Sequence, residues 1–231
     1  MEKRYTFKDL VDIVEKLRGE NGCPWDREQT HESIKHNIIE EGYELIEMLE
    51  KGDADKMADE SGDLLLQVVF HAQIGKENGE YTIDDVTSKV CEKLIKRHPH
   101  VFGDVSVKDS DEVLDNWSRI KREERGQKSI SEDMDGVSKG LPALMRAGKI
   151  QGKAEKGGYI FNEPLVAAEN ISKMINLLLN NDSTEVSEKY VGKMFFELVS
   201  VAKRLGVDAE TALNKEINSF VQEFTKHEEK V

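Results

Sequence analysis

Apolar residues recur along this chain at the three- and four-residue spacing of helices, with little of the alternation that marks strands. Phe7, Leu10, Val11, Val14 and Leu17 predict a first helix over about 7–18. "GENGCPWDREQT" follows as a loop with a turn. A long helix is predicted over about 27–50, with Ile34, Ile38, Ile39, Leu45, Ile46 and Leu49 in one arc of roughly 140°. "EKGDAD" breaks the pattern, and a third helix is predicted over about 55–76. Its stretch "LLLQVVFHAQI" is apolar around most of the circumference, which predicts burial on several sides. Further helices are predicted over about 82–97, stopped by Pro99, and over about 109–125. "VFGDVSV" alternates only briefly and reads as a loop. The polar, Gly- and Ser-bearing segment 126–142 reads as a linker, after which helices resume. The expected fold class is all-α, in tandem helical-bundle domains over 1–125 and 143–231.

The two halves resemble each other. "GDLLLQVVFHA" (62–72) aligns with "GKMFFELVSVA" (192–202) at a shift of 130 residues. The same shift sets "LEKGD" (49–53) on "LNNDS" (179–183), and a shift of 126 sets "CEKLIKR" (91–97) on "INSFVQE" (217–223). What the copies do not share is informative. Glu40, Glu41 and Glu44 become Asn170, Ile171 and Met174; Glu60 and Asp63 become Tyr190 and Lys193. Lys93 and Arg97 become Ser219 and Glu223. The apolar frame survives in the second copy while acids and bases vanish together, the pattern of residues kept for a ligand.

Acids are common here, 46 of 231 residues, so a single pair at helical spacing carries no meaning. In "HNIIEEGYELIEMLEKGD", however, Glu41 and Glu44 border the apolar arc, and Glu60 and Asp63 open the next apolar helix. A short connection lets the two helices pack antiparallel and bring both pairs together. Four facing carboxylates repel one another unless a cation sits between them. Magnesium or manganese suits such oxygens and keeps sites for water and phosphate. No His or Cys stands among the four, which disfavours zinc.

The net charge of −13 argues against a nucleic-acid phosphate groove. No apolar run approaches membrane-spanning length and the first residues lack a signal-peptide core, so the expectation is cytoplasmic, with no membrane partner. The two cysteines, Cys23 and Cys91, are expected as buried small apolar residues and His71 as a satisfied core residue. Pro99 between His98 and His100 prevents a helical ligand pair and reads as a helix stop. A P-loop is missing from the sequence.

"GCPWDREQT", "EEGYE", "ESGD" and "KLIKRHPHVF", with "LPALMRAGKIQGKAEKGG" at the opening of the second half, closely resemble the MazG nucleoside triphosphate pyrophosphohydrolases of the all-α NTP pyrophosphatase superfamily. The resemblance implies cleavage of nucleoside triphosphates to monophosphate and pyrophosphate, dependence on Mg2+ with Mn2+ as a substitute, and a homodimer or higher homo-oligomer. By position it implies Glu41, Glu44, Glu60 and Asp63 as metal ligands. Glu40 is the candidate for holding or deprotonating the attacking water. Lys93 and Arg97, one turn apart, are candidates for the triphosphate, with Lys121 as a third. Trp25 would either stack on the base or lie buried under its loop. The second copy, without the acids, is expected to be catalytically silent. The resemblance also implies a nucleotide-pool house-cleaning role. The alternative is a non-catalytic helical module that binds a nucleotide or alarmone and acts through a protein partner.

Overall fold

The computed structural model describes residues 4–180 and 183–228. Asn181 and Asp182 of the "LNNDS" stretch therefore lie outside the described residues. All regular structure among the described residues is helical. The chain divides into two compact units, the first ending at Val113 and the second beginning at Leu114.

The first unit holds α1 (Phe7–Arg18), α2 (Pro24–Glu28), α3 (His31–Ile34), α4 (Asn37–Lys51), α5 (Ala54–Asn78), α6 (Ile83–Arg97), α7 (Pro99–Phe102) and the start of α8 (Ser110–Glu124). Thr6 with Asp9, and Thr82 with Asp85, close capping boxes that satisfy the first amides of α1 and α6. Gly52 ends α4 at φ 71°, a left-handed conformation that suits glycine, and Asp53 caps α5 through the Lys56 amide. This two-residue turn forces α4 and α5 into an antiparallel hairpin. The core is Val14, Ile34, Val69, Phe70 and Ile74, with Leu10, Val11, Leu66 and Ile83 packed on it.

The loop after α1 is pinned rather than free. A Cβ on Gly22 would fall 2.0 Å from the Leu17 carbonyl oxygen, the same oxygen that accepts the Cys23 amide at 2.8 Å. Arg18, its side chain only 5% exposed, pairs with Glu77 of α5 at 2.7 Å. It also donates to the carbonyls of Asp26 and Gln29 and covers the Phe70 ring at 5.2 Å. One buried guanidinium thus ties the "GCPWD" turn to the long helix.

Four expectations need correction. The helix expected over 27–50 is interrupted, because Thr30 caps α3 through the Ser33 amide instead of continuing a helix. Most of the apolar arc on α4 faces outward: Ile39 is 58% and Leu49 57% exposed, and of its members on this helix Leu45 alone turns, with Glu41 and Met48, toward the hairpin partner. Likewise α5 is buried on one side only, with Leu65 and Val68 open, because α1, α3 and α4 do not surround it. Cys91 is exposed and Cys23 partly so, against the expected burial.

The second unit holds the rest of α8, then α9 (Ile130–Asp135), α10 (Ala143–Lys156), α11 (Pro164–Leu179), α12 (Thr184–Arg204) and α13 (Ala209–Glu228). The division falls inside α8, earlier than the expected boundary, so residues 114–125 belong with this unit. The 126–142 segment is packed rather than a bare linker. Ser129 caps α9, and Asp133 and Val137 are buried. Asp133 also pairs with Lys153 of α10 at 2.5 Å. The α11–α12 hairpin and α13 repeat the succession α4, α5, α6. A shift of 130 carries Ala54, the first residue of α5, onto Thr184, the first of α12; a shift of 126 carries Ile83 onto Ala209. At the centre of this unit Gln151 is fully buried, its Nε2 donating to the Phe196 carbonyl at 2.8 Å.

Candidate metal centre

The α4–α5 hairpin brings the two acid pairs together. Glu41 of α4 and Glu60 and Asp63 of α5 each place a carboxylate oxygen within 4.8 Å of the others. The spacing explains this. Glu60 and Asp63 are three residues apart and share a face of α5. Glu41 lies on the inward face of α4 that the tight turn sets against them. Glu44, one turn further along α4, lies outside this trio but near enough to act on both Glu41 and Glu60 through its charge. Glu40 points away and is exposed, near enough to act on Glu41 through its charge.

The electrostatics are those of uncompensated like charge. Burial first, then Asp63, Glu44 and Glu40, push Glu41 above the usual carboxylate range. Burial first and then Glu44 do the same to Glu60. Among the described residues, none of these four carboxylates accepts an ion pair from a Lys or Arg. The one neutral partner is Gln67, buried in α5, whose Nε2 lies 3.5 Å from Glu41 Oε1. Three oxygens at this separation, two of their residues half-buried, fit a hard divalent cation.

The other expected site residues are less closely gathered. Lys93 and Arg97 lie one turn apart on α6. Lys121 belongs to the second unit, its Nζ 4.8 Å over the Trp117 ring. Trp25 is 61% exposed, which removes the buried alternative and leaves its indole face open. Gln67 was missed by sequence reasoning. Its signal was there, a single amide inside "LLLQVVF". His71 is not a plain core residue: its Nδ1 meets His31 Nδ1 at 2.7 Å, the rings stack at 5.0 Å, and its Nε2 is buried without a partner.

In the second copy the corresponding place is a cleft of about 700 Å³ lined by Asn170, Met174, Tyr190 and Lys193, the residues that the 130-residue shift puts opposite Glu40, Glu44, Glu60 and Asp63. Lys193 lies over the Tyr190 ring at 5.8 Å. Lys173 and Lys189 also line the cleft, so its charge is inverted relative to the first copy.

Fold and site define an all-α protein with a cluster of three carboxylates, and a fourth close by, between the two helices of a hairpin. A family model for the MazG nucleotide pyrophosphohydrolase domain matches residues 29–102, which contain all four acids, Lys93 and Arg97. The chain is 44% identical over 224 residues to the nucleoside triphosphate pyrophosphohydrolase/pyrophosphatase MazG of Thermotoga maritima, covering 96% of this chain and 86% of that protein. It is 38% identical over 226 residues to the nucleoside triphosphate pyrophosphohydrolase of Escherichia coli, covering 95% and 86%. It is also 42% identical over 229 residues to the uncharacterized protein YabN of Bacillus subtilis, of which it spans 47%. The chain belongs to the MazG nucleoside triphosphate pyrophosphohydrolase family.

Proposed function

We propose that this protein hydrolyses nucleoside triphosphates to a nucleoside monophosphate and pyrophosphate at the α4–α5 carboxylate cluster, with Mg2+ as the working ion and Mn2+ as a substitute. The observation that carries the reading is the convergence of Glu41, Glu60 and Asp63, with the charge of Glu44 close by and, among the described residues, no ion pair from a basic side chain to neutralise them. These four residues would hold the ion. Bound there, it would offset phosphate charge and make water a better nucleophile.

The chain's own groups supply the rest. Gln67 fixes the orientation of Glu41 through its amide. Glu40, exposed beside the cluster, accepts the proton of the attacking water. Lys93 and Arg97 hold the phosphate chain, and the open indole of Trp25 stacks on the base. The second copy, its acids replaced by lysine, tyrosine and apolar residues, takes no part in the hydrolysis. Exposed apolar side chains on α4 and α5, such as Ile39, Leu49, Leu65 and Val68, support a homodimer that covers them with a second copy. The setting is cytoplasmic, and the role is to clear unwanted nucleotides from the pool. No helix among the described residues is long and apolar enough to cross a membrane.

The test measures pyrophosphate release from a panel of nucleoside triphosphates with MgCl2 and with EDTA. Magnesium-dependent release that Glu41→Gln abolishes is the expected result. Release of single phosphates instead, or release indifferent to both magnesium and the substitution, would reject the assignment.

A further inference from the structure

The second unit contains a cavity of about 800 Å³; of its lining only Lys121 is a sequence candidate for the triphosphate. Six of its fifteen lining residues are Lys or Arg, against 33 of 231 in a chain with a net charge of −13. The enrichment has a geometric origin. Trp117, Lys121 and Arg125 follow each other at four-residue spacing along α8 and just past its end. Lys149, Lys153 and Lys156 share one face of α10 at helical spacing. Lys203 reaches in from α12. Two cationic helix faces are thus set on one cavity, the reverse in sign of the carboxylate cluster.

Internal pairing cancels only part of this charge. Lys153 pairs with Asp133 at 2.5 Å, Lys203 with Glu155, and Lys156 with Asp115 at 3.2 Å. Among the described residues, Arg125 and Lys149 have no carboxylate partner. Nor is the lining a chance of surface lysines. Asp133 is 5% exposed and holds Lys153 in place, and Lys153 is itself only 22% exposed. Gly152 makes room for Lys203, since a Cβ there would come within 3.1 Å of its Nζ. Like charges gathered by a built wall call for a counter-ion. The cations stand on two helix faces rather than at one point, an arrangement that suits a chain of phosphates better than a single one.

We propose that this cavity binds a polyphosphate anion, either the phosphate chain of a nucleotide or free pyrophosphate. Binding here needs no divalent ion, because the wall itself supplies the positive charge. This holds whether or not the first unit hydrolyses nucleotides.

Calorimetric titration of the whole chain in EDTA tests it, with pyrophosphate, inorganic triphosphate and ATP as probes. Removing divalent ions leaves the first unit's carboxylates to repel such anions, and the variants below decide whether the binding that remains belongs to the basic cavity. One saturable site per chain is expected, weakening as NaCl rises. The double variant Arg125→Glu/Lys149→Glu weakens it at least tenfold, while Lys226→Glu on α13 leaves it unchanged. Both altered side chains are exposed, and circular dichroism checks that the helices persist. Lys149→Ala provides a gentler variant with a smaller loss in the same direction. ATP binding tighter than inorganic triphosphate assigns the site to nucleotides; equal affinity assigns it to the free polyphosphate. Failure of the wild-type chain to bind any of the three, or undiminished affinity in both the folded double variant and Lys149→Ala, overturns the proposal.

Discussion

Replacing Glu41 by Gln separates what the carboxylate cluster costs the fold from what it does for a cation. Glu41 and Asp63 oxygens lie within 4.8 Å. At that separation two unit charges repel by about 3.5 kcal/mol at an effective dielectric of 20 and about 0.9 kcal/mol in water. Asp63 is exposed, so solvent screening favours the lower figure. Removing the charge should therefore stabilise the metal-free protein by about 1 kcal/mol, a rise in Tm of roughly 2–4 °C for a chain of this size. The same substitution removes a ligand. A cation at one hundred times its Kd stabilises the native state by about 2.7 kcal/mol, and this gain should shrink or vanish in the variant. The assay is thermal unfolding of both proteins in EDTA and in a MgCl2 series. Wild type should melt lower in EDTA and climb with magnesium; Glu41→Gln should start higher and stay nearly flat. A variant that melts lower than wild type in EDTA, yet still climbs with magnesium, would refute the view that these acids are held together against their own repulsion for a cation.

Other consequences are measurable. Arg18→Met should destabilise the first unit by about 3 kcal/mol in urea unfolding, because it strands Glu77 and two backbone carbonyls around a buried position. Val69→Ala, at a site 1% exposed in the core, should cost about 2 kcal/mol by the same measurement without altering magnesium dependence. Burial first and His31 second depress the His71 pKa. Its folded pKa lies below the unfolded value, so stability should be full above about pH 6.5 and fall as pH drops through that window, a slope that His71→Gln should flatten in denaturation series. Lys93→Ala and Arg97→Ala should each raise KM about tenfold or more in the pyrophosphate-release assay, the worth of one charge-assisted contact.

The sequence by itself determined the helical class and the repeat. Each rests on local spacing or on self-similarity, and neither requires knowledge of what packs on what. It also marked the four acids, because a tight turn between two helices leaves little choice but an antiparallel hairpin. The tertiary structure alone decided which way those helices face. Periodicity locates an apolar stripe, yet only packing says whether one chain has enough neighbours to cover it, and α4 presents most of its stripe to solvent while turning Glu41 inward. Long-range contacts likewise set the role of Arg18, the pairing of His31 with His71, and the packing of 126–142. The partners there are 59, 40 and 20 residues apart, distances over which local pattern carries no information. A polar segment reads as a linker until Asp133 and Val137 are seen buried. The basic cavity is the clearest case, since its cations are scattered over three helices of an acidic chain and only the folded unit makes them neighbours.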